Sequence, residues 1–487
     1  MRIILICLIL YFLLIPIVHA EEVLNENQFI EKAIKNNPQY QVTKQEYLSA
    51  LKDNKSAHAI EDWNLVASGV YQDAYPAATS GFSPTYQNIL SYSFGIDKYF
   101  SSSGTALQIE HNNQRLNMSY PAAMALYGFA TEPYYLSDLS VTISQPLLKN
   151  AFGYATRAGL DIADAALKLA EIKLKEDWED FIASLKDDYL TWQQQYLNLK
   201  VQKKRFKKAK AQLKLIKRQR RYGLSEDLDV VQTEQLEKGY ALMLEQAEMN
   251  FKNQTRKVFN LMGEKDGLGR VCFPQKINNS DSLMGQEALV NYLIKNSNIR
   301  RTADLLVAMK KKTCQIKRNA EWPDANLVLQ ARPNSKENAL QDSVSRIGEN
   351  DEYTVTLNVK RGLFNDQAQA ERQRAEEDFK KAKSDRDNIL LNSKIGLQSL
   401  YNTLNSMERL IKLSKTNLKL ATKRLRLEEK KLRQGRNSMF FVLQAEAALL
   451  EAENNLNANL IAREKTINSI KSITDRYLVE YRDVLKL

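Results

Sequence analysis

A chain of 487 residues with only 17 glycines and 10 prolines favours long uninterrupted helices over a loop-rich fold. Three histidines, with no paired metal-ligand spacing, no Gly-rich phosphate loop and no nucleophile elbow, argue against an enzyme and give no cofactor or metal site to assign. The net charge of +12 raises acidic partners, but no nucleic-acid recognition motif accompanies it.

Residues 1–20 read as a Sec-type signal peptide: Arg2, an apolar run from Ile3 to Val18, and Val18 and Ala20 at the cleavage positions. Cys7 follows Ile6 and lies too early for a lipoprotein signal. The expected mature chain begins at Glu21, and losing Arg2 lowers the net charge from +12 to +11. No other segment approaches the roughly 20 apolar residues of a spanning helix, so any membrane crossing must use strands closed into a barrel.

Strand signals follow. Leu65 to Tyr71 is a short candidate, Tyr92, Phe94 and Ile96 alternate with polar neighbours, and Ser102-Ser103-Gly104 reads as a turn into Leu107 and Ile109. Leu139, Val141 and Ile143 alternate with Ser140, Thr142 and Ser144.

The pattern then changes to seven-residue spacing. Trp178, Leu185, Trp192, Leu199, Phe206 and Leu213 mark one seam of a long helix expected over 159–221. Tyr222-Gly223-Leu224-Ser225 supplies C-cap and then N-cap chemistry, so a second helix returns to about Met262. Residues 263–286, with Asp266-Gly267 and Asn278-Asn279-Ser280, read as a linker. Cys272 and Cys314 are too few for a disulfide framework, although an oxidising compartment would let them pair.

Beyond the linker the same order returns. Leu327 to Ala331 and Tyr353 to Val359 are strand candidates; Leu390, Leu397, Leu404, Ile411, Leu418, Leu425 and Leu432 mark a seam; Gln434-Gly435-Arg436-Asn437-Ser438 is the turn. A shift of 212 places Trp178 on Leu390, Phe152 on Phe364 and Gly223 on Gly435. The chain is therefore two copies of one unit, 21–262 and 287–487, each with strands and an antiparallel helical hairpin. The longer arms exceed sixty residues, roughly 95 Å at 1.5 Å per residue.

Together these features resemble the TolC-type outer-membrane efflux protein family over nearly the whole mature chain. Asn27 to Ile34 with Asn36-Asn37-Pro38 is similar to its first helix, Ser144-Gln145-Pro146-Leu147-Leu148 with Phe152-Gly153 to its strand-to-helix passage, and Gly223-Leu224 and Gly435-Arg436 to its hairpin tips. The resemblance implies a mainly α fold with β: duplicated long helical hairpins forming a coiled-coil tunnel, and strands contributing to a shared trimeric outer-membrane β-barrel, four from each chain. It implies an outer-membrane homotrimer in contact with outer-membrane lipid, with helices extending into the periplasm. It further implies a passive export duct opened at its periplasmic tip, docked to a periplasmic adaptor and an inner-membrane transporter of a tripartite efflux or type I secretion system. A secreted coiled-coil adaptor or adhesin is the rival reading.

Carried over residue by residue, the family's tip aspartate matches Asp229, a gate candidate that also reads as a first-turn acid favoured by the helix dipole. The second tip departs from the family: its two acidic positions are Phe441 and Gln444, so Phe440 or Phe441 is the candidate constriction unless both pack between helices. Gly223, Leu224, Ser225, Gly435, Arg436 and Asn437 are the adaptor-docking candidates. Lys203, Lys204, Arg205, Lys207, Lys208, Lys210, Lys214, Lys217, Arg218 and Arg220, with no acid among residues 200–221, make the tip-proximal third positive, a source of anion preference or simply a solvated face.

Overall fold

The computed structural model describes residues 22–77, 79–121, 124, 132–264, 272–276 and 283–481, so the signal peptide and parts of the linker lie outside the described residues. In chain order the elements are β1 (Glu22–Leu24), α1 (Glu26–Asn36), α2 (Pro38–His58), β2 (Asn64–Ala74), β3 (Tyr86–Phe100), β4 (Thr105–Ser119), β5 (Tyr134–Pro146), α3 (Tyr154–Arg221) and α4 (Asp227–Leu261). There follow β6 (Cys272–Pro274), α5 (Gln286–Asn296), α6 (Asn298–Asn319), β7 (Asp324–Ala331), β8 (Asn334–Glu337), α7 (Leu340–Ser345), β9 (Tyr353–Lys360), α8 (Asp366–Arg433), α9 (Met439–Ile473) and α10 (Tyr477–Glu480). The described residues are mainly helical, 66%.

Both α3 and α8 have 68 residues, and both α4 and α9 have 35. Tyr154 precedes Asp366, and Asp227 precedes Met439, by the same 212 positions that relate the two seams in the sequence.

Two compact units emerge, and both 68-residue helices supply residues to each. The first comprises residues up to 46, 172–301 and 389 onward. Here the seams are buried: Trp178, Leu185, Trp192 and Leu199 on α3, and Leu397, Leu404, Ile411 and Leu425 on α8. Leu397 and Leu404 pack with Leu289 and Leu293 of α5 and Ile467 and Ile470 of α9. Helix α1 buries Phe29, Ile30, Ala33 and Ile34, and Phe29 stacks on Tyr189 at 5.9 Å between ring centroids. Within the stretch read as linker, β6 pairs in parallel with β1, and the Tyr189 hydroxyl closes the junction by donating to the Leu24 carbonyl at 2.7 Å. Cys272 and Cys314 are buried and not joined in a disulfide.

The second unit comprises residues 47–171 and 302–388 and contains one antiparallel sheet in the order β2-β3-β4-β5-β7-β9, with β8 beside β5. All six strand candidates of the sequence are present, but the sheet is larger than the four strands implied by the family resemblance. The short helix α7 rests on its far end, where Ser343 Oγ lies 2.8 Å from Ser137 Oγ. No helix among the described residues is long and apolar enough to cross a membrane.

Candidate functional site

The sheet presents two chemically different faces. Directly opposed residues form one row, Leu65–Ile96–Ile109–Val141–Ala331–Tyr353, that is apolar or aromatic across all six strands. The next row, Asn64–Asp97–Gln108–Thr142–Gln330–Thr354, is polar throughout. Successive residues of a strand point to opposite faces, so toward the helix end one face is apolar and the other hydrophilic; farther along, the first face turns polar at His111, Asn113 and Ser137, where α7 rests. The polar face is knit by side-chain bonds: Asn64 Nδ2 donates to Asp97 Oδ2 at 2.9 Å, and Gln330 Nε2 to Thr142 Oγ1 at 3.3 Å.

The apolar face is open. Leu65 is 79% exposed and Val355 71%, and Leu90, Phe94, Ile143 and Leu329 are exposed as well. From Leu90 to Phe100, ten residue steps of about 3.4 Å in a strand tilted about 40° give a band about 26 Å high, the thickness of an outer-membrane hydrocarbon layer. Exposed aromatics flank it. Trp63, Phe152, Trp322 and Phe364 stand where strands join helices, and Tyr71 and Tyr75 lie toward the opposite end, the Tyr75 ring tilted against that of Tyr86 at 5.2 Å between centroids. Amphipathic rings collect at such levels because one edge is apolar and the other wet.

At the end where helices begin, the β3–β4 turn locks onto the strand-to-helix passage. Arg157 Nη1 donates to the Ser102 carbonyl at 2.6 Å, and Tyr99 Oη lies 3.0 Å from Thr156 Oγ1. Gly104 and Gly153 both have left-handed φ, and a Cβ on Gly153 would meet the Ser101 carbonyl at 2.1 Å, so no side chain fits there.

The hairpin tips share one backbone motif. Gly223 and Gly435 each have φ +70°, with the next residue's N–H bonded back to Gln219 at 2.9 Å and to Lys431 at 2.9 Å. Each left-handed glycine thereby caps orphan carbonyls of a 68-residue helix. Leu224 is exposed, Ser225 Oγ donates to Asp229 Oδ2 at 2.9 Å, and Arg436 carries the matching turn bond. Asn437 Oδ1 accepts the Ser438 N–H at 2.9 Å, and its Nδ2 bonds Glu428.

Asp229 Oδ2 also accepts the Glu226 N–H at 3.0 Å, completing a capping box at the start of α4. Arg220 grips Asp227 with two bonds, at 2.6 and 2.8 Å, which depresses the Asp227 carboxyl and raises the Arg220 guanidinium. At the second tip Phe440 and Phe441 are exposed and stand edge to face at 5.6 Å, so neither is packed away within this chain. Gln444 accepts from Arg424 at 3.2 Å. A cleft of about 620 Å³ brings Leu224, Ser225 and Asp229 of one tip together with Phe440 and Gln444 of the other.

Part of the basic run is neutralised: Lys203, Lys204, Lys208, Lys217 and Arg220 are ion-paired with Glu248, Glu453, Glu446, Glu234 and Asp227. These partners lie on α4 and α9, which sequence spacing along α3 alone does not reveal.

Residues 291–474 match the model of the outer membrane efflux protein family. The structure resembles the outer membrane protein VceC of Vibrio cholerae at 14% identity, covering 92% of this chain and 96% of that one, with a TM-score of 0.68. It also resembles the Campylobacter jejuni CmeC outer membrane channel at 11% identity, 95% and 89% coverage and a TM-score of 0.69. For the open state of the Neisseria gonorrhoeae MtrE outer membrane channel the values are 10%, 92%, 88% and 0.65. No curated protein sequence matches the chain. The chain thus carries the sequence pattern of the outer membrane efflux protein family over residues 291–474 and shares the fold of these outer membrane channels over nearly its whole length.

Proposed function

We propose that the chain is one subunit of a homotrimeric export duct in the outer membrane. Its strands close a barrel with those of two further copies, its helices extend into the periplasm, and its hairpin tips form the entrance. The observation that carries this reading is the pair of adjacent rows, one apolar and one polar across six strands, ending at two open edges. A sheet in lipid tolerates no open edge, so its edges must pair with something. The helices point the same way. Leu413, Leu420 and Leu427 on α8, and Leu228, Leu242 and Met249 on α4, are exposed in the single chain, which suits burial against neighbouring copies.

Export through such a duct requires no chemistry in this subunit, only an opening. Asp229, Phe440, Phe441 and Gln444 are the proposed gate, and Gly223, Leu224, Ser225, Gly435, Arg436 and Asn437 the docking tips for a periplasmic adaptor. That adaptor would link the duct to an inner-membrane transporter in tripartite efflux or type I secretion. Purification from outer membranes, mass determination and planar-bilayer recording test the reading. A conducting trimer supports it; a soluble monomer without conductance leaves the adaptor or adhesin reading instead.

A further inference from the structure

Resting on the trimeric reading above, we infer that each copy contributes six strands to the barrel wall and that the outer edge of β2 pairs with the outer edge of β9 of a neighbouring copy. Three copies of six then make an eighteen-stranded barrel.

The first reason is that β3 and β4 are full members of the wall. They are paired along 15 residues each, they carry both the apolar and the polar row, and their turn is anchored beside α3 by Arg157 and Tyr99. A hairpin lying outside the membrane would have no reason to continue either row.

The second reason is the stagger. Along the apolar row, Leu65 stands one residue from the helix end of its strand, Ile96 and Ile109 four, Val141 five, and Ala331 and Tyr353 seven. The row thus climbs by about one residue, about 3.3 Å, for each strand spacing of about 4.8 Å, which corresponds to a tilt of about 35°, within the range of closed barrels. Carried across level, as it passes from Ile96 to Ile109 and from Ala331 to Tyr353, the row brings Tyr353 opposite Tyr71 of the next copy and Val359 opposite Leu65. Every such pair joins the apolar face of one edge to that of the other, and the strands run antiparallel.

The consequence is a wider bore. At this tilt and spacing, eighteen strands enclose a backbone cylinder about 34 Å across, against about 23 Å for twelve.

The test is cysteine cross-linking in the full chain, in outer membranes, with the pair Leu65→Cys and Val359→Cys. Each single variant and the unsubstituted chain serve as controls. The expected result is a covalent ladder reaching three times the chain mass under denaturing conditions. The pair Tyr71→Cys and Tyr353→Cys should give the same ladder, so the outcome does not depend on one variant folding. A four-strand contribution would instead bring β4 against β9. A native trimer cross-linked through Leu107→Cys and Val359→Cys, but through neither edge pair, overturns the six-strand wall while leaving the trimer standing. A chain that stays monomeric and is cross-linked by none of the pairs overturns the trimeric reading, and this inference with it.

Discussion

Glu179 on α3 clasps the start of the C-terminal helix at Tyr477: its Oε2 accepts the Tyr477 N–H at 3.1 Å and its Oε1 the Leu478 N–H at 2.8 Å. Burial pushes the Glu179 carboxyl up to about 8, against the lowering effect of those two bonds. Asp475 and Glu176 add like charge beside it, and both are themselves raised by burial. Asp475 in turn accepts the Asn298 N–H at 2.9 Å, with Arg301 as the nearby opposing charge.

A carboxyl raised in the folded state holds its proton more tightly there than in the unfolded chain, where it titrates near 4.5. Stability is therefore greatest below that value and is lost as pH rises through about 8. Thermal unfolding of the purified protein should show a decline on the order of 5 kcal/mol across this window. Glu179→Gln should flatten it, and Glu179→Ala should cost about 2 kcal/mol by stranding two backbone donors. An unchanged pH slope in Glu179→Gln would contradict the assignment.

At the first tip, Asp229→Ala removes the acceptor for Ser225 and for the Glu226 N–H. Losing the cap should loosen the first turn of α4 by about 1 kcal/mol. If this carboxylate helps hold the entrance shut, planar-bilayer recordings should show a several-fold higher open probability. Equal open probability in both proteins would confine Asp229 to capping.

Leu397 is fully buried between α5 and α9, so Leu397→Ala should destabilise folding by about 3 kcal/mol. Leu413, 65% exposed in the single chain, should behave differently. Its replacement by Ala should leave the melting of an isolated chain nearly unchanged but increase trimer dissociation in detergent, read by analytical ultracentrifugation.

On β9, Val355 and Thr356 are neighbours on opposite faces of the sheet. Val355→Arg places a charge in the apolar band and should oppose membrane assembly by about 2–4 kcal/mol, whereas Thr356→Arg faces the polar side and should assemble normally. Outer-membrane fractionation distinguishes the two. Equal loss in both variants would argue against the assignment of faces.

The helices were legible because their signal repeats: a large residue every seven positions over several turns survives local noise, and a glycine at the same offset in both copies marks each end. Leu139 to Ile143 and Tyr353 to Val359 were legible for the same reason at period two. Strands β1 and β6 are three residues each and owe their pairing to contacts across more than 240 positions, which no local pattern encodes. The number of strands depends on which alternating segments find neighbours, so Leu65 to Tyr71 alone does not reveal that it forms an edge. At the tips the glycines and the Asp229 position were readable from spacing. The ion pairs that neutralise half of the basic run were not, because Glu446 and Glu453 reach Lys208 and Lys204 from a helix far along the chain.

The matched lengths of the two hairpins constrain how this protein can change. Both tips line one cleft, so inserting a single heptad into α3 and its return helix would advance that tip by about 10 Å and leave the other behind. Length is thus inherited as a paired character. A lineage in which the hairpins had to reach farther or less far would have to add or remove whole heptads in both copies of the repeat, and a survey of chain lengths should find such changes in register rather than singly.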